Sequence, residues 1–129
     1  MASAVPQHVI ALVDDDPRIL ESVGDLLEAG GFTVLSFPSG NHLLRSDALS
    51  RMDCLITDIG LPGMDGFELQ RFVKSRRPDV PVFLITGRHE LLERHGGPVE
   101  GTVLRKPFNG KLLLEAIADA VSRKGARRE

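Results

Sequence analysis

The sequence predicts one α/β domain built on an open, five-stranded, parallel sheet with helices on both faces. Three observations lead there. Short apolar runs and helical patterns alternate five times along the chain, and parallel strands need such crossovers. The first run, Val9 to Val13 (VIALV), is continuously apolar, as in a strand buried on both faces. Finally, 129 residues suffice for one proper core.

Each element has its own signal. Behind VIALV, Pro17 suits the first turn of a helix, and Ile19, Val23, Leu26 and Leu27 follow at helical spacing until Gly30-Gly31 stops it. Thr33 to Phe37 reads as the second strand. Ser39 can cap a short helix carrying Leu43 and Leu44. Cys54 to Thr57 is the third strand, Leu61-Pro62-Gly63 a loop, and Phe67, Leu69, Phe72 and Val73 mark the next helix. Pro78 and Pro81 bracket the approach to the fourth strand, Val82 to Thr86, and Thr102 to Arg105 is a short fifth. A last helix is expected from about Gly110 to Arg123, with Leu113, Ala116, Ile117, Ala120 and Val121 inward. The expected organisation is a tail over residues 1–7, a domain over 8–123, and a charged tail or linker start over 124–129.

Composition excludes several classes. No apolar run approaches the roughly 20 residues of a membrane span. Met1 to His8 lacks the basic start and apolar stretch of a secretory signal, so a cytoplasmic location is expected. A formal charge of -2 and a pI near 6.1 argue against nucleic-acid binding by this domain. Cys54, the single cysteine, sits in an apolar stretch and reads as a buried, inert thiol. His8, His42, His89 and His95 show no metal-ligand spacing and read as surface residues, with His89 the exception to watch because it follows Thr86.

Four short signals follow apolar runs in order: Asp14-Asp15-Asp16, Thr57-Asp58, Ile85-Thr86-Gly87 and Arg105-Lys106-Pro107. In open parallel sheets, ligands bind beyond the carboxyl ends of the strands, at a switch in strand order. All four fall at those ends. Adjacent carboxylates repel, and magnesium is a natural counter-charge because it prefers oxygen ligands; an acidic loop capping the following helix is the plainer alternative. Asp58 can act as a nucleophile toward a phosphoryl group, or be an ordinary loop aspartate. The Thr86 hydroxyl can donate to a phosphoryl oxygen, although strand-end threonines are common. Lys106 supplies a compact positive charge, and Lys106-Pro107 is a candidate cis peptide. Together the four are far more specific than any one.

At this point the chain resembles a response-regulator receiver domain of two-component signalling. The stretches are VDDDP (13–17), TDIGLPGMDG (57–66), ITG (85–87) and KPF (106–108), in the family's order from about His8 to Arg123. The resemblance implies a CheY-like, flavodoxin-like (βα)5 doubly wound sheet with strand order 2-1-3-4-5. It implies that Asp58 is the phosphoacceptor for a histidine kinase or phosphotransfer protein, and that Thr86 and Lys106 grip the phosphoryl oxygens. The implied magnesium ligands are Asp15, Asp58 and the Gly60 backbone carbonyl, with Asp14 acting through water and Asp16 as an accessory acid; manganese can substitute. The implied output is a conformational change in the face formed by the fourth crossover helix, the fifth strand and the last helix. That change is read by an output domain or effector, and a weak homodimer through the face is a further expectation. No membrane partner is expected, and no catalysis beyond phosphorylation and dephosphorylation of Asp58. The wording also resembles FixJ/LuxR-type receivers that precede a helix-turn-helix; a stand-alone receiver and one excised from a longer regulator are both compatible with it.

Three departures stand out. Val103 and Leu104 replace the family's usual fifth-strand aromatic, and the chain has no Tyr or Trp. The segment from Thr86 to Lys106 is short, with Gly96-Gly97-Pro98 expected to end any helix begun near Glu90, so an irregular or shortened fourth helix is expected. Gly60 leaves one side of the site without a side chain, and Arg88 is placed to cover the other. Gly60 also stands where a magnesium-dependent aspartyl phosphatase carries its second Asp, which argues against that enzyme. The remaining alternative is a phosphorylation-independent pseudo-receiver, an interaction module.

Overall fold

The computed structural model describes residues 8–95, 101–106 and 109–127. Five parallel strands form one sheet in the order β2-β1-β3-β4-β5: β1 (Val9–Val13), β2 (Thr33–Phe37), β3 (Cys54–Asp58), β4 (Val82–Thr86) and β5 (Thr102–Arg105). The crossovers are α1 (Pro17–Ala29), α2 (Gly40–Arg45), α3 (Ala48–Arg51), α4 (Gly66–Arg76) and α5 (His89–His95), and α6 (Gly110–Arg127) follows β5. The doubly wound fold with order 2-1-3-4-5 is as expected.

Burial tracks position in the sheet. The central strands β1, β3 and β4 are almost wholly buried, whereas edge strands β2 and β5 remain partly exposed. That is why VIALV, CLITD and VFLIT are near-continuous apolar runs. One core lies under α1 and α6, where Ile10, Leu12, Ile56 and Ile85 meet Val23, Leu27, Leu113 and Ile117. The other lies under α2 to α5, where Ala11, Val13, Leu55 and Leu84 meet Leu43, Met52, Leu69 and Val73. Cys54 is fully buried, and burial pushes its thiol pKa strongly upward, which makes it inert.

Local chemistry sets the element boundaries. Pro17 opens α1 behind an Asp16 cap. Ser39 caps α2 by accepting from the His42 N–H at 3.1 Å. The α3 turn is absent from the sequence reading. Ser46 creates it by leaving the helical path: its hydroxyl donates to the Leu43 carbonyl at 2.7 Å and accepts from the Ala48 N–H at 3.0 Å. Asp65 and Glu68 close a reciprocal capping box at the start of α4.

The remaining helices depart from the expectation in detail or meet it. Phe72 is only half-buried and joins neither core; the Arg76 guanidinium lies 4.6 Å from its ring centroid. The last helix continues past Arg123 to Arg127, because no proline interrupts it. The fourth crossover, α5, is a seven-residue helix, in line with a shortened element. Gly96-Gly97-Pro98, Pro107 with its candidate cis bond, and Phe108 lie outside the described residues. Among the described residues, no helix is long and apolar enough to cross a membrane.

Candidate functional site

Register brings the strand ends together. Val13 pairs with Thr57, so Asp14 and Asp58, one residue further on, emerge side by side. Asp58 pairs with Ile85, and Thr86 with Arg105, which sets Thr86 and Lys106 along the same edge. The Lys106 N–H donates to the Thr86 carbonyl at 2.8 Å and holds β5 to this line. The β1/β3 boundary is also where strand order reverses, the expected crevice of such a sheet.

Carboxylate oxygens of Asp14, Asp15 and Asp58 all lie within 4.8 Å of one another. Their surroundings differ. Asp14 is only 1% exposed, accepts from the Asp16 N–H at 2.9 Å, and lies 3.3 Å from Lys106 Nζ. Asp15 is exposed. Asp58 is 14% exposed and 4.0 Å from Lys106 Nζ. Burial and the neighbouring Asp14 raise the Asp58 pKa above the ordinary carboxylate value, with Asp15 adding to the rise; Lys106 and the Gly60 backbone oppose them. Hard oxygen donors with surplus negative charge are the chemistry that divalent magnesium takes. The residues present therefore fit such an ion.

Asp16 does not join this group. Its carboxylate caps α1, accepting from the Arg18 N–H at 2.9 Å, and pairs with the Arg18 guanidinium at 3.1 Å. Arg18 holds its pKa below the ordinary value. The expectation of an accessory acid gives way to a helix cap, the role that a residue just before Pro17 is placed to fill.

Thr86 is buried at the end of β4, but its hydroxyl faces its own loop. It donates to the Arg88 carbonyl at 3.1 Å and accepts from the Arg88 N–H at 2.9 Å. Gly60 sits past β3 in a loop pinned by the bonds Ile59 N–H to Ile85 carbonyl, 3.0 Å, and Gly66 N–H to Ile59 carbonyl, 2.9 Å. The space a Gly60 side chain would take is bounded by Leu91 at 3.0 Å and Arg88 at 3.8 Å. Arg88 therefore covers the Gly60 side of the site rather than the opposite one.

Two features escaped sequence reasoning. His95, read as a surface residue, is half-buried and stacks on Phe67 with ring centroids 4.1 Å apart. Arg71 and Arg94 flank the same groove as Arg88. No spacing rule links positions 67, 71 and 95; only the packing of α4 beside α5 does.

Residues 10–118 match the response regulator receiver domain family. Nodulation protein W of Bradyrhizobium diazoefficiens is 30% identical over 130 residues, covering 98% of this chain and 56% of that protein. The heme response regulator HssR of Staphylococcus aureus is 34% identical over 114 residues, covering 87% of this chain and 50% of that protein. The chain thus spans about half the length of these curated relatives. Among solved structures, a response regulator receiver domain protein from Clostridium thermocellum is 31% identical with a TM-score of 0.80, covering 92% of this chain and 98% of that one. A CheY-like receiver domain protein from Methanospirillum hungatei is 26% identical with a TM-score of 0.79, covering 95% and 99%. The strand order, the carboxylates gathered at the strand ends and this match over most of the sequence agree: the chain belongs to the response-regulator receiver family, with a CheY-like flavodoxin-type fold.

Proposed function

We propose that this receiver is a phosphoacceptor switch: Asp58 takes a phosphoryl group from the phosphohistidine of a histidine kinase or phosphotransfer protein, in a magnesium-dependent reaction. The observation that carries the reading is the grouping of Asp14, Asp15 and Asp58 within 4.8 Å, with Lys106 Nζ 3.3 Å from Asp14 and 4.0 Å from Asp58. A carboxylate oxygen of Asp58 forms the new bond to phosphorus, and the bond from phosphorus to the histidine nitrogen breaks. Asp15, Asp58 and the Gly60 carbonyl would hold the metal directly and Asp14 through water. When bound, the ion supplies the positive charge that lets one anion approach another. Lys106 sits beside both Asp14 and Asp58 and is placed to receive a phosphoryl oxygen once Asp14 is otherwise compensated. Thr86 is the second oxygen-binding group, after its hydroxyl leaves Arg88.

The product is a conformation, read on the face of α5, β5 and α6 by an output domain or effector. Catalysis is confined to phosphorylation and dephosphorylation of Asp58. A cytoplasmic setting, no direct nucleic-acid or membrane contact by this domain, and a weak homodimer through the same face complete the reading. The test is an amide NMR spectrum with magnesium and beryllofluoride or acetyl phosphate, with Asp58→Asn as control. Shifts at Asp58, Thr86 and Lys106 that need both magnesium and Asp58 are expected. Their absence would leave a phosphorylation-independent interaction module.

A further inference from the structure

A groove of about 530 Å³ runs between α4 and α5, opening beside Gly60. Its floor is apolar: Leu61 and Phe67 are buried at 5% and 8% exposure, and Leu91 is half-buried. Its rim is cationic: Arg71 comes from α4, Arg88 stands just before α5, and Arg94 lies near the end of α5. Among the described residues, the groove is lined by three arginines and no lysine. Arginine presents a rigid fork that matches carboxylates, and interfaces favour it over lysine. The positive charge runs against the chain's net -2.

Most of that charge is available. Arg71 and Arg94 are exposed and form no salt bridge among the described residues, although Arg94 lies within electrostatic reach of the exposed Glu90. Arg88 pairs with Glu90 at 3.2 Å, but both are more than half exposed, so an incoming carboxylate can displace the partner. Asp65, the one carboxylate lining the groove among the described residues, is committed to the α4 cap, accepting from the Glu68 N–H at 2.9 Å. The apolar floor lowers the local dielectric and strengthens charge-assisted hydrogen bonds at the rim.

The spacing selects among anions. Arg88 and Arg94 stand six residues apart across α5, about 9 Å along a helix axis. That is too long for one phosphate. It suits separate carboxylates borne along one peptide chain, where same-face side chains of an extended segment recur about every 7 Å. We propose that the groove between α4 and α5 docks an acidic peptide segment of a partner protein, its carboxylates on Arg71, Arg88 and Arg94 and an apolar side chain on the Leu61–Phe67–Leu91 floor. This inference does not rest on phosphoryl transfer to Asp58.

The test is selection of phage-displayed random dodecapeptides on the full chain, counter-selected against R71Q/R94Q, two exposed positions whose variant is first checked for an unchanged fold by its amide spectrum. Enriched peptides should be acidic with at least one apolar residue. They should shift the methyl signals of Leu61 and Leu91 and the His95 ring, and should bind R71Q/R94Q at least tenfold more weakly. Binding should persist in Asp58→Asn, which separates this inference from the phosphoacceptor reading. No enrichment, enrichment without acidic residues, shifts on another face, or undiminished binding to R71Q/R94Q would overturn it. Heparin or a single-stranded oligonucleotide producing the same shifts more strongly than any peptide would also overturn it, by assigning the groove to a polyanion.

Discussion

Replacing Asp58 with Asn should stabilise the metal-free protein. The oxygens of Asp14, Asp15 and Asp58 lie within 4.8 Å. At an effective dielectric of about 20, each like-charged pair at that range costs about 3.5 kcal/mol. Lys106, 4.0 Å from Asp58, offsets about 4 kcal/mol. Two repulsions against one attraction leave about 3 kcal/mol opposing an ionised Asp58, and solvent around the exposed Asp15 trims this to about 1–3 kcal/mol. For a domain of this size that is a rise of about 4–12 °C in Tm, read by thermal melts in chelator at neutral pH. Magnesium should then raise the Tm of the parent and barely move the variant. The pH dependence has a definite sign. Burial and Asp14 raise the folded-state pKa of Asp58 above 3.8, so its relative contribution to stability is fully present below that value and is lost as pH rises through the folded pKa. The advantage of the variant should therefore be full at neutral pH and shrink as the solution is acidified toward 3.8. An Asn variant that melts at or below the parent in chelator at neutral pH would refute the charge-crowding argument.

Three further outcomes are expected. Lys106→Ala removes the ammonium facing the 1%-exposed Asp14; the metal-free protein should lose about 2 kcal/mol in denaturant titration, and magnesium should recover more stability than it adds to the parent. Gly66→Ala places a methyl against the Asp58 carbonyl oxygen and 2.7 Å from Ile59 Cα; it should cost about 2–3 kcal/mol and shift the Asp58 and Gly60 amide signals. Arg77 donates to the Leu49 carbonyl at 2.7 Å and the Met52 carbonyl at 3.3 Å; Arg77→Leu leaves both without that donor and should cost about 1–3 kcal/mol, with faster hydrogen exchange across α3 and no loss of the magnesium response.

The sheet was legible because its three central strands are buried on both faces. A strand such as VIALV can be recognised from five consecutive apolar residues, and the carboxyl end of each strand then locates Asp14, Asp58, Thr86 and Lys106 without knowledge of any contact. Side-chain direction was not legible. Asp14 and Asp16 are the same residue type two positions apart, yet one is buried against Lys106 and the other caps α1. What separates them is where the helix begins, which Pro17 hints at but does not fix. The groove was invisible for another reason: Phe67 and His95 belong to different crossovers, and nothing local couples their positions. The extra turn α3 depended on Ser46 bonding in two directions, a choice that competes evenly with helix continuation in a polar stretch.

The orientation of Thr86 bears on how such a site would signal without a fifth-strand aromatic. A hydroxyl has one proton to donate, and here it goes to the Arg88 carbonyl. A bond from Thr86 to a phosphoryl oxygen on Asp58 would take that proton away and leave the Arg88 carbonyl short of a partner. Arg88 lies at the start of α5, where its carbonyl also accepts from the Leu91 N–H at 3.2 Å. Leu91 in turn packs where a Gly60 side chain would stand, and His95 ties the end of α5 to Phe67. A change at Thr86 would thus reach α5 in two steps, one side-chain hydrogen bond and one backbone hydrogen bond. In β5, Val103 packs against one core and Leu104 against the other; neither has a ring whose rotation could report on the space Thr86 vacates. A helix of seven residues is only about two turns long, and perturbing its first turn disturbs a large fraction of it.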